Sequence, residues 1–148
     1  NTTIPLTKFR LQDAVGFSLF AKKHLERRQM PRMTDALKNK FYEGIDELFA
    51  NSALHSKSQI GVHVCGQFFP CITRIDFAIV DGGQTIAGAA QSTGLRFASE
   101  AHAIEWAMEP GNTTRSGDIP GGLGSMILRE FVGLINPSIS KWMIMLRI

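Results

Sequence analysis

The sequence predicts an α+β domain: a two-layer sandwich with a mixed, mostly antiparallel sheet and helices packed on one of its faces. Three observations carry that reading. Two segments, Gln12–Arg28 and Thr34–Ser56, place apolar residues at helical spacing. The period then changes to two over Gln59–Val80, in two runs split by a turn. Strands adjacent in sequence and short turns favour antiparallel pairing, with the helices collected on one side.

Taken in order, Thr2–Leu6 reads as a short strand, and Pro5 points to a sheet edge because proline has no N–H to give a ladder. Gln12–Arg28 reads as an amphipathic helix with Val15, Leu19 and Leu25, and Phe20 alongside, as its apolar positions. Lysine and arginine crowd its C-terminal end, where the helix dipole favours cations. Pro31 interrupts it. Thr34 is a natural cap for a second helix, in which Phe41, Ile45, Leu48 and Ser52, with Phe49 beside them, form the core-facing stripe.

In Gln59–Cys65, Ile60, Val62 and Val64 alternate with Gly61, His63 and Cys65, and Cys71–Val80 is similarly strand-like. A hairpin turning within Gly66–Pro70 would make Cys65 and Cys71 neighbours. They read as reduced core thiols, with a redox pair as the alternative. Asp81-Gly82-Gly83 ends the second strand as a turn. Ile86–Gly94 is small and polar, Ser99–Met108 is a short helix, and a breaker-rich segment follows up to Gly121-Gly122-Leu123-Gly124. Ser125–Leu134 reads as a helix and Lys141–Ile148 as a last strand.

At 148 residues the chain is expected to form one domain, 1–148, with enough length to bury a core. Its net charge of +3 is mild, and the cluster Lys22, Lys23, His24, Arg27 and Arg28 has no aromatic ladder beside it. That cluster reads as a solvated helix face and argues against nucleic-acid binding. No apolar run reaches the roughly 18 residues of a membrane span, and no signal peptide is visible, so a cytoplasmic location is expected. The four histidines show no close metal-ligand spacing, which argues against zinc.

Three elements share one chemical theme. Glu47 and Asn51 lie four residues apart and stack on one side of their helix. A carboxylate can orient or deprotonate a nucleophile. An Asn carbonyl is a hard ligand suited to Mg²⁺, which takes few protein ligands and completes its shell with phosphate and water. Asp81, at a strand end beside glycines, can accept a hydrogen bond from an exocyclic amine. Gly121–Gly124 opens a helix, where glycines admit a polyphosphate to free backbone N–H groups. No Gly-Lys-Ser/Thr follows, so this is not a Walker A loop.

In order and context, Glu47–Ser52 (ELFANS), Ile79–Gly83 (IVDGG) and Gly121–Gly124 (GGLG) resemble the N, G1 and G2 boxes of the GHKL ATPase superfamily. The resemblance spans about residues 34–134 and is nearest the anti-sigma factor serine kinase and histidine kinase branches. It implies a Bergerat fold that binds ATP and Mg²⁺. Asn51 would hold the metal, and Glu47 would be the catalytic base or orient water. Asp81 would take the adenine amino group, with Gly83 beneath the base. Gly122 and Gly124, flanking Leu123, would pack on the phosphates. The lid would run from about Ala87 to Pro120, with Arg115 as a phosphate contact by position and charge; a solvated loop arginine is its plain alternative. His55, one turn beyond Asn51, would reach phosphate or metal, or else be a core-edge histidine bonded to the backbone.

Two departures stand out. The second glycine of the Asp-x-Gly-x-Gly G1 pattern, its fifth place, is Thr85 here, which removes a hinge at the lid entrance. After Leu134, the sequence INPS does not match the expected turn into the final strands. The expectation is therefore an ATP-dependent signalling kinase, with a protein phospho-acceptor or regulatory partner and a homodimer to be tested. The alternatives are an ATPase whose lid motion drives conformational change, and a non-catalytic ATP-sensing module.

Overall fold

Two helices are held against one sheet by a group of phenylalanines. The computed structural model describes residues 2–26, 34–72, 74–109, 112 and 143–146. Its elements are β1 (Thr3–Phe9), α1 (Ala14–Glu26), α2 (Asp35–His55), β2 (Val62–Phe69), a 3₁₀ turn (Pro70–Ile72), β3 (Arg74–Asp81), α3 (Ile86–Gln91), α4 (Glu100–Met108) and β4 (Met143–Leu146). The described sheet runs β1-β2-β3-β4. The first three strands are antiparallel neighbours, and β4 lies parallel to β3. The class is thus α+β with a mixed, mostly antiparallel sheet.

The period of two decides which sheet face is covered. Val62, Val64 and Phe68 of β2 and Ile75, Phe77 and Ile79 of β3 are buried, as are Ile4 and Phe9 of β1, which a register shift between Ile4 and Thr7 brings to the same face. The same core contains Phe17, Ala21 and Leu25 of α1 and Phe41, Tyr42, Ile45, Leu48 and Phe49 of α2. Phe17 and Phe49 stack with centroids 4.4 Å apart, and Phe9 meets both edge-on at 5.7 and 6.2 Å. Polar contacts add to the helix pair: Ser18 donates to Asp46 at 3.1 Å, and Lys38 pairs with Glu26 at 3.2 Å. Burial raises the Asp46 carboxyl above its ordinary range, opposed by the Ser18 hydrogen bond and the charge of Lys22.

The start of α2 follows its sequence signal. Thr34 is the N-cap, and its hydroxyl accepts from the Leu37 N–H at 3.2 Å. The face of α1 departs from expectation. Its buried set is Phe17, Ala21 and Leu25, while Val15 and Leu19 are 74% and 64% exposed. Both sets have i, i+4 spacing and lie about half a turn apart. Phe9, at the end of β1, selects the set that carries Phe17.

The hairpin also differs. β2 begins at Val62 and leaves Ile60 exposed, and it continues to Phe69 before the 3₁₀ turn. The resulting register sets Cys65 opposite Ala78. Cys71 falls in the turn and is exposed, so the cysteines are neither a core pair nor neighbours across the hairpin; both are free thiols. Within the small and polar stretch Ile86–Gly94, Ile86–Gln91 is a helix capped by Thr85. The short helix expected at Ser99–Met108 is α4, with Ser99 as its N-cap. The helix expected at Ser125–Leu134 lies outside the described residues.

Tyr42 is 6% exposed, and its hydroxyl has no hydrogen-bond partner among the described residues. Burial, with a smaller contribution from the charge of Glu26, pushes its ionisation from 10.0 up to about 12. The unfolded chain therefore releases this proton first, and stability falls as pH rises from about 10 to about 12. Tyr42 is the one tyrosine of the chain, so tyrosinate absorbance reads it alone. It should titrate near 12 in the folded protein and near 10 in denaturant. Tyr42→Phe should remove that alkaline loss of stability, and by removing an unsatisfied hydroxyl it should stabilise the protein by about 1 kcal/mol in urea unfolding.

Candidate functional site

Helix α2 carries its candidate residues outside the stripe that enters the core. At 100° per residue, Glu47 and Asn51 each lie about 200° round from Phe49, on the opposite side of the helix. With His55 they form a column at i, i+4 and i+8, which drifts toward the core side as it approaches the C-terminus. All three are half-buried. The helix ends with Ser56 as its C-cap, whose N–H donates to the Ser52 carbonyl at 3.1 Å. Lys57 then turns the chain at φ 54°, in the left-handed region. A side chain there costs roughly 1–2 kcal/mol, so neighbouring bonds must hold it.

Those bonds come from the turn after β3. The Gln84 N–H donates to the Ser56 carbonyl at 2.6 Å, and Gln84 Nε2 donates to the His55 carbonyl at 2.7 Å. Helix C-termini leave carbonyls without intrahelical donors, and Gln84 satisfies one at α2 and a second at its cap. Ser58, 8% exposed, adds a second tie. Its hydroxyl donates to the Gly61 carbonyl at 2.8 Å and accepts from the Gly82 N–H at 3.3 Å, while its own N–H donates to Ser56 Oγ at 3.1 Å. The end of α2 and the end of β3 are thereby one hydrogen-bonded unit.

Asp81 sits within that unit. Its register partner is Val62, so it shares the face of Ile75, Phe77 and Ile79, at the end where α2 stops. One carboxylate oxygen, Oδ1, accepts from the Gly83 N–H at 2.9 Å in an Asx-type turn. Oδ2 retains acceptor capacity for a further donor. Gly83 is glycine for a steric reason: a Cβ there would overlap the carbonyl oxygen and carbon of Ser56. Its backbone packs on the end of α2.

Thr85 has a defined task. Its hydroxyl accepts from the Gly88 N–H at 3.1 Å as the N-cap of α3 and donates to Glu100 of α4 at 3.1 Å. The Thr-x-x-Gly spacing before a small-residue run is an N-cap signal that sequence reading passed over in favour of the missing glycine. Gln84 and Ser58 were also missed as site residues. Their roles depend on carbonyls brought near only by folding. Arg115, Gly122, Leu123 and Gly124, and the later part of the expected lid, lie outside the described residues.

The structure thus joins the turn bearing Asp81 and Gly83 to the end of the helix bearing Glu47, Asn51 and His55. Among the described residues, no three His, Cys, Asp or Glu side chains come together as a metal cluster. A hard cation here would need Asn51 plus oxygens brought by a ligand, the situation that suits Mg²⁺ with phosphates. An open recess of about 490 Å³ lined by Lys8, Arg10, Gln12 and Asp13 contains none of the candidate residues. No described helix is long and apolar enough to cross a membrane.

Comparison with family models, curated proteins and solved structures finds no match to the chain.

The close approach of Gly83 to α2 has a measurable consequence. Gly83→Ala should destabilise the fold by about 1–3 kcal/mol, because the added methyl meets backbone with no freedom to rotate away. Urea unfolding of that variant beside Gly82→Ala provides the control. A Cβ at Gly82 meets only the flexible Ile60 side chain at 2.7 and 2.9 Å and a more distant Ser58 hydroxyl.

Proposed function

We propose that the chain is a Mg-ATP-binding domain of the GHKL type with the Bergerat fold, working as a signalling protein kinase that transfers the ATP γ-phosphate to a protein partner. The observation that carries this reading is the union of the Asp81-Gly82-Gly83-Gln84 turn with the C-terminal end of α2. The turn that carries one motif is bonded to the end of the helix that carries the other, an arrangement that a shared nucleotide site would need. The α+β architecture and the position of Asp81 at a strand end support it.

Bound ATP supplies the phosphoryl group, and Mg²⁺ neutralises its charge; the chain supplies position. Asp81 Oδ2 would accept from the adenine amino group while Oδ1 stays fixed by Gly83. The Asn51 side-chain carbonyl would ligate the metal. Glu47, one turn earlier on the same column, would orient or deprotonate the acceptor hydroxyl or water. Gly122, Leu123, Gly124 and Arg115 complete the proposed phosphate contacts on sequence grounds. His55 borders the same column, and its main-chain carbonyl already serves the Gln84 tie.

Thr85 favours a second reading. It fixes the beginning of α3 and bonds to Glu100 at the place where a glycine hinge would sit. A lid entrance built this way suits a module that senses ATP without turning it over. An ATPase driven by lid motion is the remaining alternative.

Thermal unfolding separates these readings. Mg-ATP at one hundred times its Kd should add about 2.7 kcal/mol of stability. Asp81→Ala should abolish that shift. Glu47→Ala should keep the shift and lower turnover by about 10²–10⁴-fold. Label on a serine or histidine of a partner marks the kinase, free phosphate marks the ATPase, and a shift without turnover marks the sensor. An absent Mg-ATP shift, or an Asp81→Ala protein that responds like wild type, refutes nucleotide binding.

A further inference from the structure

We infer that Gln84 and Ser58 are positioning residues that set the adenine-recognising carboxylate of Asp81 relative to the Glu47/Asn51 column, an inference that rests on the ATP-binding reading above. Neither residue needs to touch the ligand. Their effect runs through two backbone segments.

The geometry is specific. Gln84 spends both its main-chain N–H and its side-chain Nε2 on consecutive carbonyls, those of Ser56 and His55. Such a paired contact resists both translation and rotation of the turn relative to the helix end, where one bond would leave a pivot. Ser58 fixes the other side. Its buried hydroxyl bridges the Gly61 carbonyl, just ahead of β2, and the Gly82 N–H, just after β3. Asp81 is therefore flanked by residues that are themselves held: Gly82 by Ser58, and Gly83 by its packing on Ser56. The Asp81 carboxylate is locked in turn by the Gly83 N–H. Every link from α2 to Asp81 Oδ1 is a hydrogen bond or a backbone contact, with no long flexible side chain except that of Gln84.

The loop joining α2 to β2 adds a reason for the ties. Lys57 holds φ 54° without being glycine. The chain reverses there so that Ser58 can turn back toward β3. The bonds on either side, from Gln84 and Ser58, keep this left-handed residue in place.

Base selectivity is the readout that a purely structural role would not move. Adenine offers an amino group to Asp81, whereas guanine carries a carbonyl oxygen at the corresponding ring position. A misplaced Asp81 weakens ATP and does not weaken GTP, whose carbonyl oxygen gains nothing from a carboxylate. General loosening of the fold weakens both alike.

The experiment measures Kd for Mg-ATP and Mg-GTP by calorimetry on the full chain. Its variants are Asp81→Ala, Gln84→Ala, Gln84→Lys and Ser58→Ala. Gln84→Ala keeps the main-chain bond to Ser56 and so should fold. Lysine restores a donor toward the His55 carbonyl, at a helix end that favours cations. The expected result is an ATP preference that falls about tenfold in Gln84→Ala and Ser58→Ala and is recovered in Gln84→Lys. An ATP preference lost in Asp81→Ala but intact in both Gln84→Ala and Ser58→Ala overturns the positioning role alone. Equal loss of ATP and GTP overturns it too, leaving a structural tie. A wild-type chain that binds neither nucleotide, or an Asp81→Ala chain with wild-type preference, removes the nucleotide reading and this inference with it.

Discussion

The stacking of Phe17 on Phe49, closed by Phe9, is the contact on which the rest depends. It joins the end of the edge strand to the first turn of α1 and the C-terminal half of α2. Phe17 and Phe49 are fully buried, and side chains of this size contribute several kilocalories per mole each when packed in a core. Once Phe49 faces the sheet, helical geometry leaves no choice about Glu47 and Asn51. Two residues away on either side, they must stand about half a turn round from it. The core contact therefore sets the direction of the polar column.

A second constraint concerns backbone groups. A helix end and a strand end that meet must satisfy carbonyls and N–H groups that neither element satisfies alone. Here the two ends satisfy each other, through Gln84 and Ser58. The side of Gly83 that meets Ser56 has no room for a Cβ. The glycine of a motif expected to lie beneath a nucleotide base thus has a reason within the folded chain as well. The two reasons are compatible, since a glycine has two open faces and Ser56 occupies one. Thr85 obeys the same rule at α3, where it satisfies a helix N-terminus and reaches Glu100.

Much of this was legible in the chain. The residues of α2, its Thr34 cap and its stripe of Phe41, Ile45, Leu48 and Phe49 follow from spacing and capping chemistry. So do the alternation of Val62 and Val64, the β3 run ending at Asp81, and the short helix ending at Met108. The class of fold follows from these elements. The candidate site was legible as residue types in sequence order, with Glu47, Asn51, Asp81 and Gly83 singled out before their neighbours were known.

What spacing cannot decide is which of two equivalent solutions the fold takes. Val15 with Leu19, and Phe17 with Ala21 and Leu25, are both apolar sets on α1, and only contact with Phe9 and Phe49 selects the second. Cys65 and Cys71 flank a plausible turn, and only the register imposed by continued pairing to Phe69 moves Cys71 out of the strand. Gln84 and Ser58 carry no local signal, because the carbonyls and N–H groups they bond are distant in sequence. The sequence by itself determined the elements and the chemistry they carry, since period and capping are local properties. Tertiary structure alone decided the buried face of α1, the strand register and the union of α2 with the Asp81 turn, because each is settled by contacts between segments remote along the chain.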